Sequence, residues 1–237
     1  MNFLNAFLGI FLNPKQTLKA VSVSENPRWA EALIIILIAW ALFAYITAPI
    51  AQQDSIRVME DNIKLKERVG EDQYNEMLEN IKNPSPTSTL FRPFIMAPFS
   101  LAIGFLFSCL IMFGMGRLIS TEGKYIQVFS GFLYVSFIDK ILGNAVRLLL
   151  VLSKKSILET STGLALFFPR LEVTSTAFII LTQVDIFQLW MFGVFSYALS
   201  YIFKVEVKKA LFISYGFWIL KTLFYIALGL FSASLMK

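Results

Sequence analysis

Five ionisable side chains stand inside otherwise apolar sequence: Asp139, Lys140, Arg147, Asp185 and Lys221. Three chemistries suit such a set. Two carboxylates sharing a proton would supply the acid and base of an intramembrane aspartyl protease. A chain of ionisable groups would mark a substrate or proton path, as in a small transporter or channel. Opposite charges paired internally would instead hold helices together. The protease requires a Gly-x-Gly-Asp turn, whereas Asp139 follows Ser136-Phe137-Ile138 and Asp185 follows Thr182-Gln183-Val184. Transport is the better rival, but each such charge costs about 2.5–3.5 kcal/mol at a helix centre, and pairing is the commoner way to offset that cost. The chain also lacks the internal repeat of many secondary transporters.

Depth gives the pairing. Counted at 1.5 Å per residue from helix ends near Ile126, Phe203 and Ala210, Asp139 lies roughly 20 Å deep and Lys221 roughly 17 Å. On the same count Arg147 lies roughly 32 Å deep and Asp185 roughly 27 Å. The matched levels predict an Asp139–Lys221 pair and an Arg147–Asp185 pair, with Lys140 competing for Asp139. The rest of the chain narrows the chemistry further. There is no histidine and one cysteine, Cys109. No intramolecular disulfide, Cys/His metal site or Ser-His-Asp arrangement can be assembled, so no cofactor or metal is expected. Cys109 reads as a small core residue, because apolar surroundings disfavour the thiolate.

The elements that must position these groups are membrane helices. Apolar residues make up 57% of the chain and charged residues 16%, with 24 Phe, a composition few soluble domains tolerate. Residues 93–116 carry no charge, and as a helix they would be about 36 Å long, more than the roughly 30 Å of a bilayer core. Residues 32–53 and 186–203 are further uncharged runs. Continuous runs argue against a transmembrane barrel, which needs alternating segments. The expected fold is all-α and polytopic, with five transmembrane helices near residues 29–50, 93–118, 125–152, 183–203 and 210–235. A sixth span at 173–181 is the weaker count. Asn26-Pro27 reads as the start of the first helix, and Trp29 and Tyr45 as interfacial anchors.

Three longer segments lie outside these spans, of which 153–182, broken at Pro169-Arg170-Leu171-Glu172, reads as an interfacial or partly re-entrant stretch. Residues 1–28 read as an N-terminal interfacial arm, Phe3, Phe7, Ile10 and Phe11 at helical spacing with Lys15 and Lys19 beyond; a short helix packed on the bundle is the alternative. Residues 52–92 read as an amphipathic helical hairpin between helices one and two, hinged at Gly70. Its stripes are Ile56, Met59 and Ile63, then Tyr74, Leu78 and Ile81. It serves either as a partner-docking device or as a lid on its own bundle. Small-residue pairs, Gly104 with Ser108 and Gly229 with Ala233, predict close helix packing. The formal charge of +5 fits headgroup contact rather than nucleic acid, for which no module is present. Dense basic residues in short segments place the N-terminus inside, on a chain expected to insert through its first spanning helix.

The order of several short motifs resembles the Yip family of Ypt/Rab-interacting membrane proteins, in its bacterial form. The run Gly123-Lys124-Tyr125-Ile126-Gln127-Val128-Phe129 resembles that branch's glycine-led entry to helix three. Asp185, Phe187 and Trp190 match its Asp-x-Phe-x-x-Trp pattern at the start of helix four. Asn13-Pro14 with Thr17, and Lys208-Lys209-Ala210, fit the same layout over nearly the whole chain. The resemblance implies a Yip-type transmembrane domain over 29–237, a cytoplasmic N-terminus in the cell membrane, and no enzymatic activity. It also implies an accessory or scaffold role, in bacterial members to ABC-type exporters and in eukaryotic ones to membrane traffic. Rab GTPase binding is not carried over, because the long polar N-terminal region of eukaryotic members is missing. The expected partners are the lipid bilayer and another membrane protein, with homo-oligomerisation left open.

Overall fold

The computed structural model describes residues 2–22, 24, 28–158, 160, 162–173 and 175–236. Among them there is no strand, only helices and one isolated bridge between Gly163 and Asp185. The expected helix start at Asn26-Pro27 lies outside the described residues. Four helices are long and apolar enough to cross a membrane: α3 (Trp29–Asp61), the stretch Thr89–Arg117 containing α7 (Ala97–Arg117), α11 (Ile186–Phe203), and the greater part of α12 (Val207–Met236). The segment expected as helix three is a stack of α8 (Tyr125–Val135), a π-helical turn at Ile138–Gly143 and α9 (Asn144–Lys154). It is long enough to cross at 1.5 Å per residue. It is interrupted at Ser136, however, and no unbroken piece of it is both long and apolar enough, so the count by length and composition is four rather than five. A sixth span is ruled out geometrically, because α10 (Thr176–Gln183) has 8 residues and reaches only about 12 Å.

Burial separates the core from the lipid-facing wall. Every residue of α8 from Val128 to Val135 is buried, and 50% of the apolar window of α11 is buried against 11% for Thr89–Arg117. An aromatic seam joins α7, α8, α11 and α12: Phe105, Phe132, Phe192 and Phe217 meet in sequence with ring centroids 5.5–6.3 Å apart. Offset and edge-on ring pairs of this kind add to the area they bury. Helix α3 and the α8–α9 stack run alongside each other in the same direction. Trp29 meets Phe129 at 5.7 Å, and eleven residues along each, Lys140 Nζ sits 5.3 Å from the Trp40 ring centre.

The first helix continues to Asp61 instead of ending near Ile50, with Pro49 inside it. Its extension is fastened to α5 (Glu71–Lys82), which folds back on it beyond α4 (Ile63–Val69). Tyr74 donates to the Met59 carbonyl at 3.1 Å, Gln52 donates to the Ile81 and Lys82 carbonyls, and Lys82 pairs with Glu60 at 3.0 Å. The stripe members Met59 and Tyr74 are buried against this contact, so the 52–92 segment packs on its own chain. Ile63 is outside the described side chains. Gly70 carries φ of +85°, a conformation glycine adopts without steric cost, and it forms the expected hinge between α4 and α5. Residues 86–91 form α6 (Pro86–Phe91), joined to α7 by a π-helical turn.

The arm folds into α1 (Phe3–Leu12) and α2 (Pro14–Ser22). Ala6, Ile10, Leu18 and Val21 are buried in the bundle, and Phe7 stands 5.1 Å from Phe137. Leu4, Leu8 and Leu12, one turn apart on the other side of α1, are exposed. Pro14 opens α2, where its missing N–H costs nothing.

Candidate functional site

The π-helical turn displaces Asp139 and Lys140 from regular α geometry and sits directly below α9, which carries Arg147. Such single turns recur where a helix must re-aim its side chains. Arg147 reaches back along its own stack and sideways to α11. Its Nη2 donates to Asp139 Oδ1 at 2.6 Å and Asp185 Oδ2 at 2.9 Å. Nη1 donates to Asn144 Oδ1 at 2.8 Å and the Asp139 carbonyl at 3.2 Å, and Nε donates to Thr162 Oγ1 at 2.9 Å. A guanidinium has five N–H donors, and all five are used. The Phe187 ring lies 5.9 Å from its centre.

Both carboxylates are equally well supplied. Asp139, 2% exposed, takes Lys140 Nζ on its other oxygen at 2.8 Å. Asp185 caps α11: its Oδ1 accepts from the Phe187 and Gln188 amides at 2.8 and 3.1 Å, satisfying donors that have no partner within the helix. Its Oδ2 also accepts from the Thr162 hydroxyl. Arg147 and Asp185 are thus in contact, as their matched depth predicts. The Asp139–Lys221 pairing is corrected: Asp139 is held by Arg147 and Lys140, while Lys221 donates to Gln188 Oε1 and lies 5.4 Å from the Phe192 ring centre. Depth counting treated each charge as sitting at its Cα. The long arginine side chain spans the eight residues back to Asp139, and the wider π turn shortens that climb.

Beside this cluster is a cavity of about 410 Å³ into which Asp139, Lys140 and Lys221 face. Gly104 and Ser108 form part of its wall, and a Cβ at Gly104 would meet nothing within 4 Å. Gly104 therefore leaves space open rather than seating a neighbouring helix, unlike the close packing expected of this pair. Gly229 does seat one: a Cβ there would lie 2.8 Å from Ile179 of α10, with Ala233 buried one turn on. Gly123 has φ of +89°, and a Cβ would lie 2.8 Å from the Ile202 side chain, which accounts for glycine at that motif position. Trp190 is partly exposed and stands 6.5 Å from Phe11 of α1. No group of three or more acidic or cysteine side chains able to hold a metal occurs among the described residues.

One structurally important carboxylate escaped the sequence reading. Asp54, on the extension of α3, is buried and accepts from Ser156 Oγ at 3.0 Å and the Ile157 and Leu158 amides at 2.6 and 3.2 Å. It fastens the chain leaving α9 to α3. Its position at the edge of a polar stretch made it look like a solvated charge, and a sequence separation of about 100 residues gave no local signal.

An all-helical, multi-pass membrane protein with a fully bonded arginine at its core is the class that this fold and site define. Residues 8–229 match the Yip1 domain family model, and the chain belongs to that family, which is not known as a family of enzymes. No curated protein and no solved structure matches the chain. Membership fits a membrane-associated, trafficking-related role within a lipid bilayer.

Proposed function

We propose that this chain is a non-enzymatic membrane scaffold, an accessory subunit of another membrane protein such as an ABC-type exporter or a trafficking machine. The supporting observation is Arg147, whose five donors are all taken by protein groups on the α8–α9 stack, the Thr162 segment and α11. A charge that moves substrate or protons must exchange partners, whereas one saturated by its own protein works as a staple. The little-buried wall of α7, where Phe107 and Leu110 are exposed, offers surface to lipid or to a partner helix. In this reading residues 29–237 form the transmembrane unit in the cell membrane. Residues 1–28 line its cytoplasmic rim, with α8–α9 as a fifth crossing and the 52–92 hairpin opposite the N-terminus.

The second reading, a small transporter or channel, is favoured by Lys140 and Lys221 facing a cavity. Two measurements on the full-length protein separate the readings. Photo-crosslinking from position 107 in native membranes is expected to give one discrete product containing a transporter or trafficking subunit. Purified protein in liposomes is expected to leave ion and solute flux at background. Flux that Lys221→Gln abolishes, with crosslinks to lipid alone, would overturn the scaffold.

A further inference from the structure

We infer that the cavity between α3, α7, α8 with its π-helical turn, α11 and α12 is a binding site for an anionic amphiphile, its phosphate or carboxylate held by Lys221 and Lys140. The charge balance is the first observation. Three cations (Lys140, Arg147, Lys221) face two carboxylates (Asp139, Asp185), and both carboxylates are spoken for by Arg147, Lys140 and backbone or hydroxyl donors. Among the described residues Lys221 meets only a neutral acceptor, Gln188 Oε1, and the face of Phe192. A half-buried ammonium at membrane depth with no carboxylate in contact is costly. It points into a space of about 410 Å³, which lies in the size range of small-ligand sites.

The shape and lining of that space say what kind of anion fits. Its α7 wall runs from Ala97 to Ser108, about 16 Å at 1.5 Å per residue, much longer than a simple inorganic ion. Phe105, Phe132 and Phe217 make most of the remaining surface apolar, with the amines grouped at Lys140 and Lys221. Gly104 forms part of the cavity wall and has open space beside it. A charged head and an extended apolar body satisfy both halves of the lining at once, and the surrounding bilayer supplies molecules of that form.

Native mass spectrometry of the purified full-length protein tests this with dioleoyl phosphatidylglycerol, dioleoyl phosphatidylcholine and inorganic phosphate as separate probes. Phosphatidylglycerol is expected to be retained about fivefold to tenfold over phosphatidylcholine. Lys221→Gln should erase that preference while leaving the melting temperature unchanged or higher. Gly104→Leu should remove the retained lipid without unfolding the protein, since the added side chain enters open space. Equal retention of the two lipids, or retention unaffected by both substitutions, would overturn the site. Stabilisation by inorganic phosphate equal to that by phosphatidylglycerol would overturn the amphiphile and leave only a free-anion pocket.

Discussion

Arg147 shows how much hangs on one side chain when the surroundings exclude water. Arg147→Gln would strand Asp139 and Asp185 side by side with only Lys140 for compensation, and breaking a buried ion pair this way costs about 3–5 kcal/mol. Asp139→Asn combined with Asp185→Asn in the Arg147→Gln background should recover much of that loss. Thermal melts of the single, double and triple variants check it, and strictly additive losses would show that the charges do not work as a unit. A different kind of sensitivity belongs to Gly116. A Cβ there would overlap the edge of the buried Phe203 ring, so Gly116→Ala should destabilise by about 1–3 kcal/mol through overpacking. Gly104→Ala should be nearly neutral by comparison, and a melt comparing the two distinguishes a packed glycine from one bordering open space.

Between elements, the decisive contacts are those that neither hydropathy nor spacing announces. The spans were legible because long uncharged runs have few alternatives in lipid, and Arg147 with Asp185 was legible because depth is nearly linear along a helix. The π turn at Ile138–Gly143 was not, since nothing in Ile138-Asp139-Lys140-Ile141-Leu142-Gly143 distinguishes it from α-helix. Thr162 and Asp54 were missed because their partners lie on distant segments. Asp54→Ala should remove the acceptor shared by Ser156 Oγ and the Ile157 and Leu158 amides, costing about 2–4 kcal/mol and raising hydrogen exchange at 157 and 158 before the bundle opens. The hinge at Gly70 behaves differently, being bridged on the surface by Lys66 and Glu71 at 2.7 Å. That hydrogen bond, then the charge attraction, holds the Glu71 carboxyl below its ordinary 4.5 and the Lys66 ammonium above its ordinary 10.5. The carboxylate's share of stability is therefore present above about pH 4.5 and lost as pH falls through the lowered value. The ammonium's share is present below 10.5 and lost as pH rises through the raised one. Proteolysis at the hinge should be unchanged between pH 6 and 9 and faster both under acid and in strong alkali, with Glu71→Gln removing the acid step; full exposure keeps the effect small.

At the scale of the whole molecule, contacts sort into two ends. At one, Ser120 donates to the Phe203 carbonyl at 2.6 Å and Lys204 pairs with Glu122 at 3.2 Å, joining the α7–α8 turn to the α11–α12 turn. At the other, Asp54 holds the end of α9, α5 folds on α3, and α10 rests on α12 at Gly229. The first end concentrates Arg117, Lys124, Lys204, Lys208 and Lys209 in short segments, and short basic loops mark the cytoplasmic side. The hairpin end spreads its cations over longer stretches, which carry less orienting weight. Position 121 should therefore face the cytoplasm and position 72 the outside. Cys109 is 0% exposed, so the wild-type protein should be silent to a membrane-impermeant maleimide, and introduced cysteines can be read without removing it. Asp72→Cys is expected to label in intact cells and Thr121→Cys only after permeabilisation. The reverse pattern would invert the protein in its membrane while keeping every contact described above. Labelling of both from one side would contradict α7 as a crossing helix, and with it the separation of the hairpin from the basic turns.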